Sequence, residues 1–324
     1  MQTKIVYTLV SSDNDYYLEQ AYVSMCSVKY HEPFAEIVLV VDSLTKKTFA
    51  GERNKLLKFV SDIVEVELDK RYDAKKRSRI LKSSVRKYVK GKFLYVDSDT
   101  LIVSSLNHID RLCSGISACY DSHSLFRDNP YRRMCIKHGK LLEWPIEYAE
   151  EYFNSGVILV DDSESSYRFY ERWSNLLLKS FDLGIDMDQP SFAKANYELG
   201  NVVKRLDDVW NCQLRHGIKY LNKACIIHYL TTNKFKGEKQ LFLLNEYAPF
   251  EYIRNNYDVS EDVRHIMDNP FDGLAEVSDC FAGKDLLYFR SGLYYGSRAI
   301  FDLPEGRLIG WLLRKYFKLR TIFN

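Results

Sequence analysis

The feature that most limits how this chain can fold is a repeated hand-off. A short β-branched run ends in polar or acidic residues, and a stretch of helical spacing follows. "KIVYTLV" (4–10) runs into "SSDND", "AEIVLVVD" (35–42) ends on Asp42, "DIVEVELD" (62–69) alternates, and "KFLYVDSD" (92–99) stops at two carboxylates. Between them lie "YYLEQAYVSMCSVKYH", "SLTKKTFAGERNKLLKFV" and residues 78–90, all of which read as helices. Short buried strands alternating with helices predict an α/β layered domain with a mostly parallel sheet. Ligands of such sheets gather at the carboxyl ends of the strands, where Ser11–Asp13, Asp42 and Asp97–Asp99 all fall. Further strands are expected over 115–121, 152–162 and 224–230, with an amphipathic helix over "SYRFYERWSNLLLKSF". Beyond about residue 237 the pattern loosens, and "APFEYIRNNYDVSEDVRHIMDNPF" reads as turn-rich.

With 324 residues, 46% hydrophobic and 28% charged, the chain has enough material for a packed core. Its seven cysteines include no Cys-x-x-Cys pair, and the odd count argues for reduced thiols rather than a disulfide framework or structural zinc. The N-terminal apolar run is broken before a signal-peptide core could form. No run approaches the ~18 apolar residues of a membrane-spanning helix. A cytoplasmic protein is expected. Residues 70–92 hold eleven Lys/Arg and one acid, but the net charge is only +2 and no nucleic-acid motif appears, so nucleic acid is not an expected partner. That basic stretch leads straight into Asp97, which suits a phosphate-binding role for one or two of its members.

The chemistry gathers in a few short stretches. In an extended strand Asp97 and Asp99 would point the same way, and two carboxylates on one side suit a hard divalent cation. "LYVDSDT" also fits a phosphatase of the haloacid dehalogenase type, in which Asp97 would attack a phosphate. That family usually opens its domain with the nucleophile strand, whereas strand–helix pattern fills residues 1–92 here. In "HYLTTNK", His228 can complete a metal's shell, and Lys234 can neutralise a phosphate as a point charge. In "FNSGVILVD", Asn154 offers a donor and an acceptor, and Gly156 permits close approach to a ligand. In "DMDQP", Asp186, Asp188 and Gln189 suit vicinal hydroxyls or, equally, a helix N-cap.

Taken in this order, these pieces resemble the family 8 retaining glycosyltransferases, a likeness that runs over roughly residues 3–237. The resemblance implies a GT-A-type fold, a Rossmann-like mixed sheet flanked by helices, for residues 1–237. A smaller, mostly helical or irregular extension (238–324) would follow. It implies transfer of a hexose, glucose or galactose, from a UDP-sugar to a glycan or lipid-linked acceptor, with Mn²⁺ or Mg²⁺ as cofactor. By the same resemblance Asp97, Asp99 and His228 would hold the metal. Thr8, Leu9 and Ser11 would contact uracil and ribose, and Tyr17 or its neighbour Tyr16 would stack on the base. Arg79 (with Lys82 as second candidate), Asp97, Ser98, Ser155 and Lys234 would contact the rest of the donor, and Asn154, Asp188 and Gln189 would serve at the reacting sugar. The chain departs from the family at Thr231, where glycine is usual, and at Lys234-Phe235-Lys236, where Lys-Pro-Trp is usual. The phosphatase and a non-catalytic nucleotide-sugar-binding protein remain the competing readings.

The last segment, "GRLIGWLLRKYFKLRTIFN", holds five Lys/Arg and no acid from Arg307 onward. Leu308, Leu312, Tyr316, Leu319 and Phe323 share one helical stripe, and Arg307, Trp311, Arg314 and Lys318 share another. A basic, aromatic-rich amphipathic helix of this kind reads as a membrane-surface anchor, peripheral on the inner face of the cytoplasmic membrane.

Overall fold

The computed structural model describes residues 1–112, 115–230, 241–274, 288, 291–300 and 303–323. The strands are β1 (Lys4–Leu9), β2 (Ile37–Asp42), β3 (Asp62–Val66), β4 (Phe93–Val96), β5 (Thr100–Ile102), β6 (Ile116–Tyr120), β7 (Phe153–Val160), β8 (Val203–Arg205), β9 (Cys212–Gln213) and β10 (Ile226–His228). The helices are α1 (Tyr17–His31), α2 (Ser43–Lys47), α3 (Ala74–Tyr88), α4 (Arg132–Leu141), α5 (Glu164–Asp182), α6 (Gln189–Glu198), α7 (Ala248–Asn256), α8 (Glu261–Asp268), α9 (Gly292–Ile300) and α10 (Pro304–Phe323).

Two compact units divide the chain, one formed by Met1–His123 and Phe153–Glu276, the other by Ser124–Tyr152 and Val277–Asn324. The boundary expected after residue 237 lies outside the described residues, and α7 and α8 belong to the first unit.

That unit is built on a seven-stranded sheet in the order β3-β2-β1-β4-β7-β6-β8. β7 is the one reversed strand, antiparallel to β4 and β6. The mostly parallel sheet read from the sequence is therefore what forms, and it is mixed through β7. Every residue of β2, β4 and β7 is buried, as expected of strands covered on both faces. Period-two alternation splits the core. Ile5, Tyr7 and Leu9 join Ile37, Leu39, Val41 and the inner face of α1 in one cluster. On helices that pack together, α5 and α6, lies a second aromatic group. Phe192 meets Phe169 at 5.0 Å and Trp173 at 4.9 Å, both edge-on.

Connectivity places the site. β1 has β2 on one side and β4 on the other, so the chain leaves it in opposite directions and opens a crevice at the strands' carboxyl ends. Because β7 is reversed, its first residues lie at that same end. Val157 pairs with Val96, and the Asp97 amide donates to the Gly156 carbonyl at 2.8 Å.

A second, three-stranded sheet, β5-β10-β9, begins where β4 stops. Asp97-Ser98-Asp99 is thus a bend that carries the chain from one sheet to the next, not an extended strand as the sequence suggested. Two helical expectations also shift. The run 43–60 splits into α2 and a 3₁₀ stretch (Gly51–Phe59), with Gly51 in the left-handed region at φ 54°. The turn-rich 248–271 stretch contains α7 and α8, separated by the left-handed Tyr257. The Ser260 hydroxyl caps α8 by accepting from the Val263 amide.

In the second unit, Gly139 on α4 packs so closely on Ile146 that no Cβ would fit. Arg133 pairs with Glu305 at 3.5 Å, and α9 packs against α10. Along α10, Leu308, Ile309, Leu312, Leu313 and Tyr316 are exposed.

Candidate functional site

The bend after β4 is held from below by a buried hydroxyl chain. Thr100 Oγ1 donates to the Asp97 carbonyl at 2.8 Å. It meets Ser24 Oγ at 2.7 Å, and Ser24 Oγ meets the Tyr7 hydroxyl at 2.8 Å. Thr100 is fully buried. Asp97 is approached from two sides. Tyr95 donates its hydroxyl to Oδ1 at 2.6 Å, and Lys82 donates to Oδ2 at 3.0 Å. Thr8 Oγ1 lies 3.0 Å from the Tyr95 hydroxyl. Since Tyr95's proton goes to Asp97, Thr8 is the donor in that contact. Burial, then the Asp97 charge, pushes the Tyr95 phenol well above its ordinary range.

Sheet pairing delivers the histidine. β10 runs antiparallel to β5 with His228 opposite Thr100, so its ring reaches the residue just before β5. His228 Nε2 stands 3.1 Å from Asp99 Oδ1. Ligand atoms of Asp97, Asp99 and His228 all lie within 4.8 Å of one another, the spacing of a set that can close on one cation.

The protonation of that ring can be worked out from the amides behind it. A backbone N–H can only donate, so the Asn154 atom that meets the Gly156 amide at 2.9 Å must be the carbonyl oxygen. Asn154 Nδ2 then donates to Asp121 Oδ1 at 3.2 Å. Asn211 donates its Nδ2 to the same Asn154 oxygen at 2.9 Å. Its own oxygen is left facing His228 Nδ1 at 3.1 Å, so Nδ1–H donates to Asn211 Oδ1. In the neutral ring Nε2 therefore carries the lone pair, and that lone pair faces a carboxylate oxygen. Two acceptors so close call for positive charge between them, either the second proton of an imidazolium or a divalent ion. Two carboxylates and one imidazole, with no thiolate, suit a hard to borderline divalent ion.

Gly156 has a role the sequence did not disclose. A Cβ there would sit on His228 Cε1 and 2.7 Å from Nδ1. The close approach that glycine permits is thus to the histidine.

On the other flank, α3 contributes cations. Arg79 Nε lies 3.1 Å and Lys82 Nζ 3.3 Å from the two oxygens of Asp188, and Ser155 Oγ donates to Oδ2 at 2.9 Å. Burial would raise the Asp188 pKa. Lys82, Arg79 and the Ser155 hydroxyl outweigh it and hold the carboxylate well below its usual range. Asp188 occupies the N-cap position of α6, but its side chain caps nothing. Instead Trp173 Nε1 and Ser191 Oγ donate to its carbonyl at 3.1 and 2.7 Å, so the aromatic core fixes where that carboxylate points. The structure thus brings both sequence candidates of the basic stretch, Arg79 and Lys82, to one acid.

The remaining predicted residues sort as follows. Leu9 is packed in the core, leaving only its main chain for a ligand. The Ser11 hydroxyl donates to Asp15 Oδ1 at 2.7 Å. Ser98 and Gln189 are half-buried, and neither side chain has a partner among the described residues. Asp186 faces Lys76 at 3.5 Å and Lys75 at 3.8 Å. Tyr16 and Tyr17 part company. The Tyr16 ring stacks toward Tyr247 and Phe250 on the α7 side. Tyr17 is about half exposed, and its phenol is raised by burial first and then by Asp15, with the charges of Arg79 and Asp99 also felt there. Lys234 lies outside the described residues. Sequence reasoning missed Tyr95, Asn211 and Asp121. Tyr95 alone had a signal, two residues before Asp97 on a period-two strand. Cys26, Cys119, Cys212 and Cys225 are free thiols.

No family model matches the chain, and no curated protein matches it. Solved structures do. The galactosyltransferase LgtC in complex with donor and acceptor sugar analogs matches with 17% identity over 81% of this chain and 99% of that one, at a TM-score of 0.50. The bifunctional glycosyltransferase WbbM matches with 15% identity over 82% of this chain at a TM-score of 0.50, and this chain spans about half of WbbM's length, 51%. The likeness is one of fold. The sheet and its flanking helices are those of GT-A glycosyltransferases, as the resemblance to family 8 led one to expect.

Proposed function

We propose that the chain is a metal-dependent retaining glycosyltransferase that moves a hexose, glucose or galactose, from a UDP-sugar to a glycan or glycolipid. The observation that carries this reading is the convergence of Asp97, Asp99 and His228, with an imidazole nitrogen 3.1 Å from a carboxylate oxygen, beside an ionised and buried Asp188. Those three residues would hold Mn²⁺ or Mg²⁺, which when bound supplies positive charge to a departing diphosphate, an effect worth several kcal/mol.

This chain's own residues do the rest. Lys82 and Arg79 balance Asp188, and Lys82 also holds Asp97, so the sugar side and the metal side share one rigid charge network. Asp188 accepts from sugar hydroxyls as an anion and stays ionised at working pH. Gln189, next to it and unengaged, is free to support the reacting carbon. Asn154 spends its oxygen on Gly156 and Asn211 and one hydrogen on Asp121, leaving one N–H for the sugar. Tyr17 is the base-stacking candidate, and Thr8, Leu9, Ser11 and Ser98 line the nucleotide side. Lys234 retains its proposed place at the diphosphate from the sequence alone.

UDP release from a panel of UDP-sugars, with Mn²⁺ and with chelator, tests the proposal. Metal-dependent turnover of at least one donor is expected. Affinity without turnover would favour a binding protein, and covalent phosphorylation of Asp97 a phosphatase.

We also propose that α10 rests on the cytoplasmic membrane surface. No helix among the described residues is long and apolar enough to cross a membrane. Leu308, Ile309, Leu312, Leu313 and Tyr316 fall on one exposed arc of α10, the arrangement of an interfacial helix. Deleting 307–324 should shift the protein from the membrane fraction to the supernatant, and an unchanged distribution refutes the anchor.

A further inference from the structure

The loop between β1 and α1 is held twice. Asp15 closes it from within. Its Oδ1 accepts from Ser11 Oγ at 2.7 Å and from the Tyr17 amide at 3.1 Å, and its Oδ2 accepts from the Ser12 amide and hydroxyl, each at 2.8 Å. The second hold comes from α7. Arg254 donates Nε to Glu19 Oε1 at 2.8 Å, Nη1 to the Asp13 carbonyl at 3.4 Å and Nη2 to the Asp15 carbonyl. Its guanidinium also lies over the Tyr16 ring, 4.2 Å from the centroid. Around that ring stand Tyr247 and Phe250, and the Tyr16 hydroxyl donates to Glu251 Oε1 at 3.3 Å. Glu19 is buried, so its charge needs this partner.

One side chain, 235 positions away from Glu19 in sequence, therefore holds two loop carbonyls, the first turn of α1 and an aromatic ring together. The consequence falls on the next residue. With Tyr16 packed beneath the guanidinium, Tyr17 stays half exposed, within reach of the charges of Arg79 and Asp99. Tyr16 opens α1 without any side-chain cap of its own, and the local hold of Asp15 on the Tyr17 amide fixes the main chain without packing either ring. Arginine suits the task, since its planar fork can bond in several directions while its face covers a ring.

We propose that Arg254 is a positioning residue for the nucleotide. It sets loop 11–17 so that Tyr16 is sequestered on α7 and Tyr17 is presented to the base of a nucleoside diphosphate. This rests on the glycosyltransferase reading and assigns a task to α7, which that reading leaves without one. Arg254 acts through the loop and touches no substrate.

The test uses the full chain with Arg254→Met, which keeps the stem over Tyr16, and Arg254→Lys, which keeps the charge. Two readouts are taken: amide hydrogen exchange across residues 12–19, and calorimetric binding of UDP at saturating Mn²⁺. For Arg254→Met, exchange in the loop should accelerate. UDP affinity should fall about tenfold as preorganisation is lost. In turnover the effect should appear in KM, with kcat within about twofold. Arg254→Lys should recover part of both. Loop exchange that does not change removes the clasp. Faster exchange with unchanged UDP affinity removes its link to the nucleotide. If the wild-type chain binds no UDP at all, the glycosyltransferase reading fails, and with it the nucleotide role of Arg254. The exchange data would still report the clasp alone.

Discussion

Two flanks meet at Asp97, and they are built on different physics. The α3 flank is a charge balance. Arg79 and Lys82 face Asp97 and Asp188 at 3.0–3.3 Å, and Lys82 is shut away from water. The β7–β10 flank carries its order through neutral amides, from the Gly156 N–H through Asn154 and Asn211 to His228. A charge balance fixes how much charge the site holds but says little about direction, because a Coulomb interaction is soft in angle. An amide chain carries no net charge but fixes which atom of each group points where. The flanks should accordingly break in different ways, one losing stability and the other losing affinity for the ion.

The largest effect is expected on the charged flank. Lys82→Met removes the cation shared by two carboxylates and should cost about 3 kcal/mol of stability at neutral pH, the lower end for an orphaned buried charge because Arg79 remains. The pH dependence has a definite sign. Asp188 has a folded pKa below its unfolded one. Its contribution is therefore complete above the ordinary carboxylate range and is lost as pH falls below that range toward the folded pKa. The variant holds Asp188 less strongly. The gap between wild type and variant in urea unfolding should be widest near pH 7 and should narrow below about pH 4. A gap independent of pH would mean that Lys82 stabilises by packing alone.

Next in size is Asp99→Asn. Removing one ligand charge should weaken Mn²⁺-dependent UDP binding by at least about 100-fold, since partners one step further out are already worth 10–100-fold. Its unfolding curve in chelator should hardly move. Loss of stability with intact metal binding would assign Asp99 to the charge balance instead.

Gly156→Ala follows. The new methyl would meet the His228 ring and the Asn154 oxygen, an overpacking that should cost about 1–3 kcal/mol. It should also weaken Mn²⁺ binding, because the atoms met at shortest range belong to the ligand ring itself. Stability lost without any change in metal affinity would show that the ring can move aside and still ligate.

These sites were unequally visible beforehand. The strands around the crevice could be read because their β-branched runs are local, and Asp97, Asp99 and His228 because their side chains name their own chemistry. The bend at 97–99 could not be read. β4 and β5 look like one strand with an acidic interruption, and only the pairing of β5 with β10 assigns them to separate sheets. The helices α7 and α8 were hidden by their shortness and by the turn residues around them, although Ser260 with Glu261 and Asp262 is a recognisable helix start. Gly156 was noticed for the right property and the wrong neighbour. Asn211 left no signal, because it ends a 3₁₀ turn (Asp208–Asn211) and acts only through residues distant in sequence.

Asn211 is also where the neutral flank can be tested with the smallest expected change. Asn211→Leu keeps the approximate volume but removes the acceptor for His228 Nδ1–H. The ring is then free to place its hydrogen on Nε2 and donate to Asp99, which satisfies both groups without a cation and competes with it. Mn²⁺ affinity should fall about tenfold, the lower end for a histidine's outer partner, with unfolding in chelator little changed. Asn211→Asp restores an acceptor at Nδ1 and should recover much of the affinity, even though it gives up the donor to Asn154. If the aspartate variant binds metal no better than the leucine variant, the chain from Gly156 to His228 holds position and not tautomer. The contrast between the two flanks would then reduce to charge on one side and packing on the other.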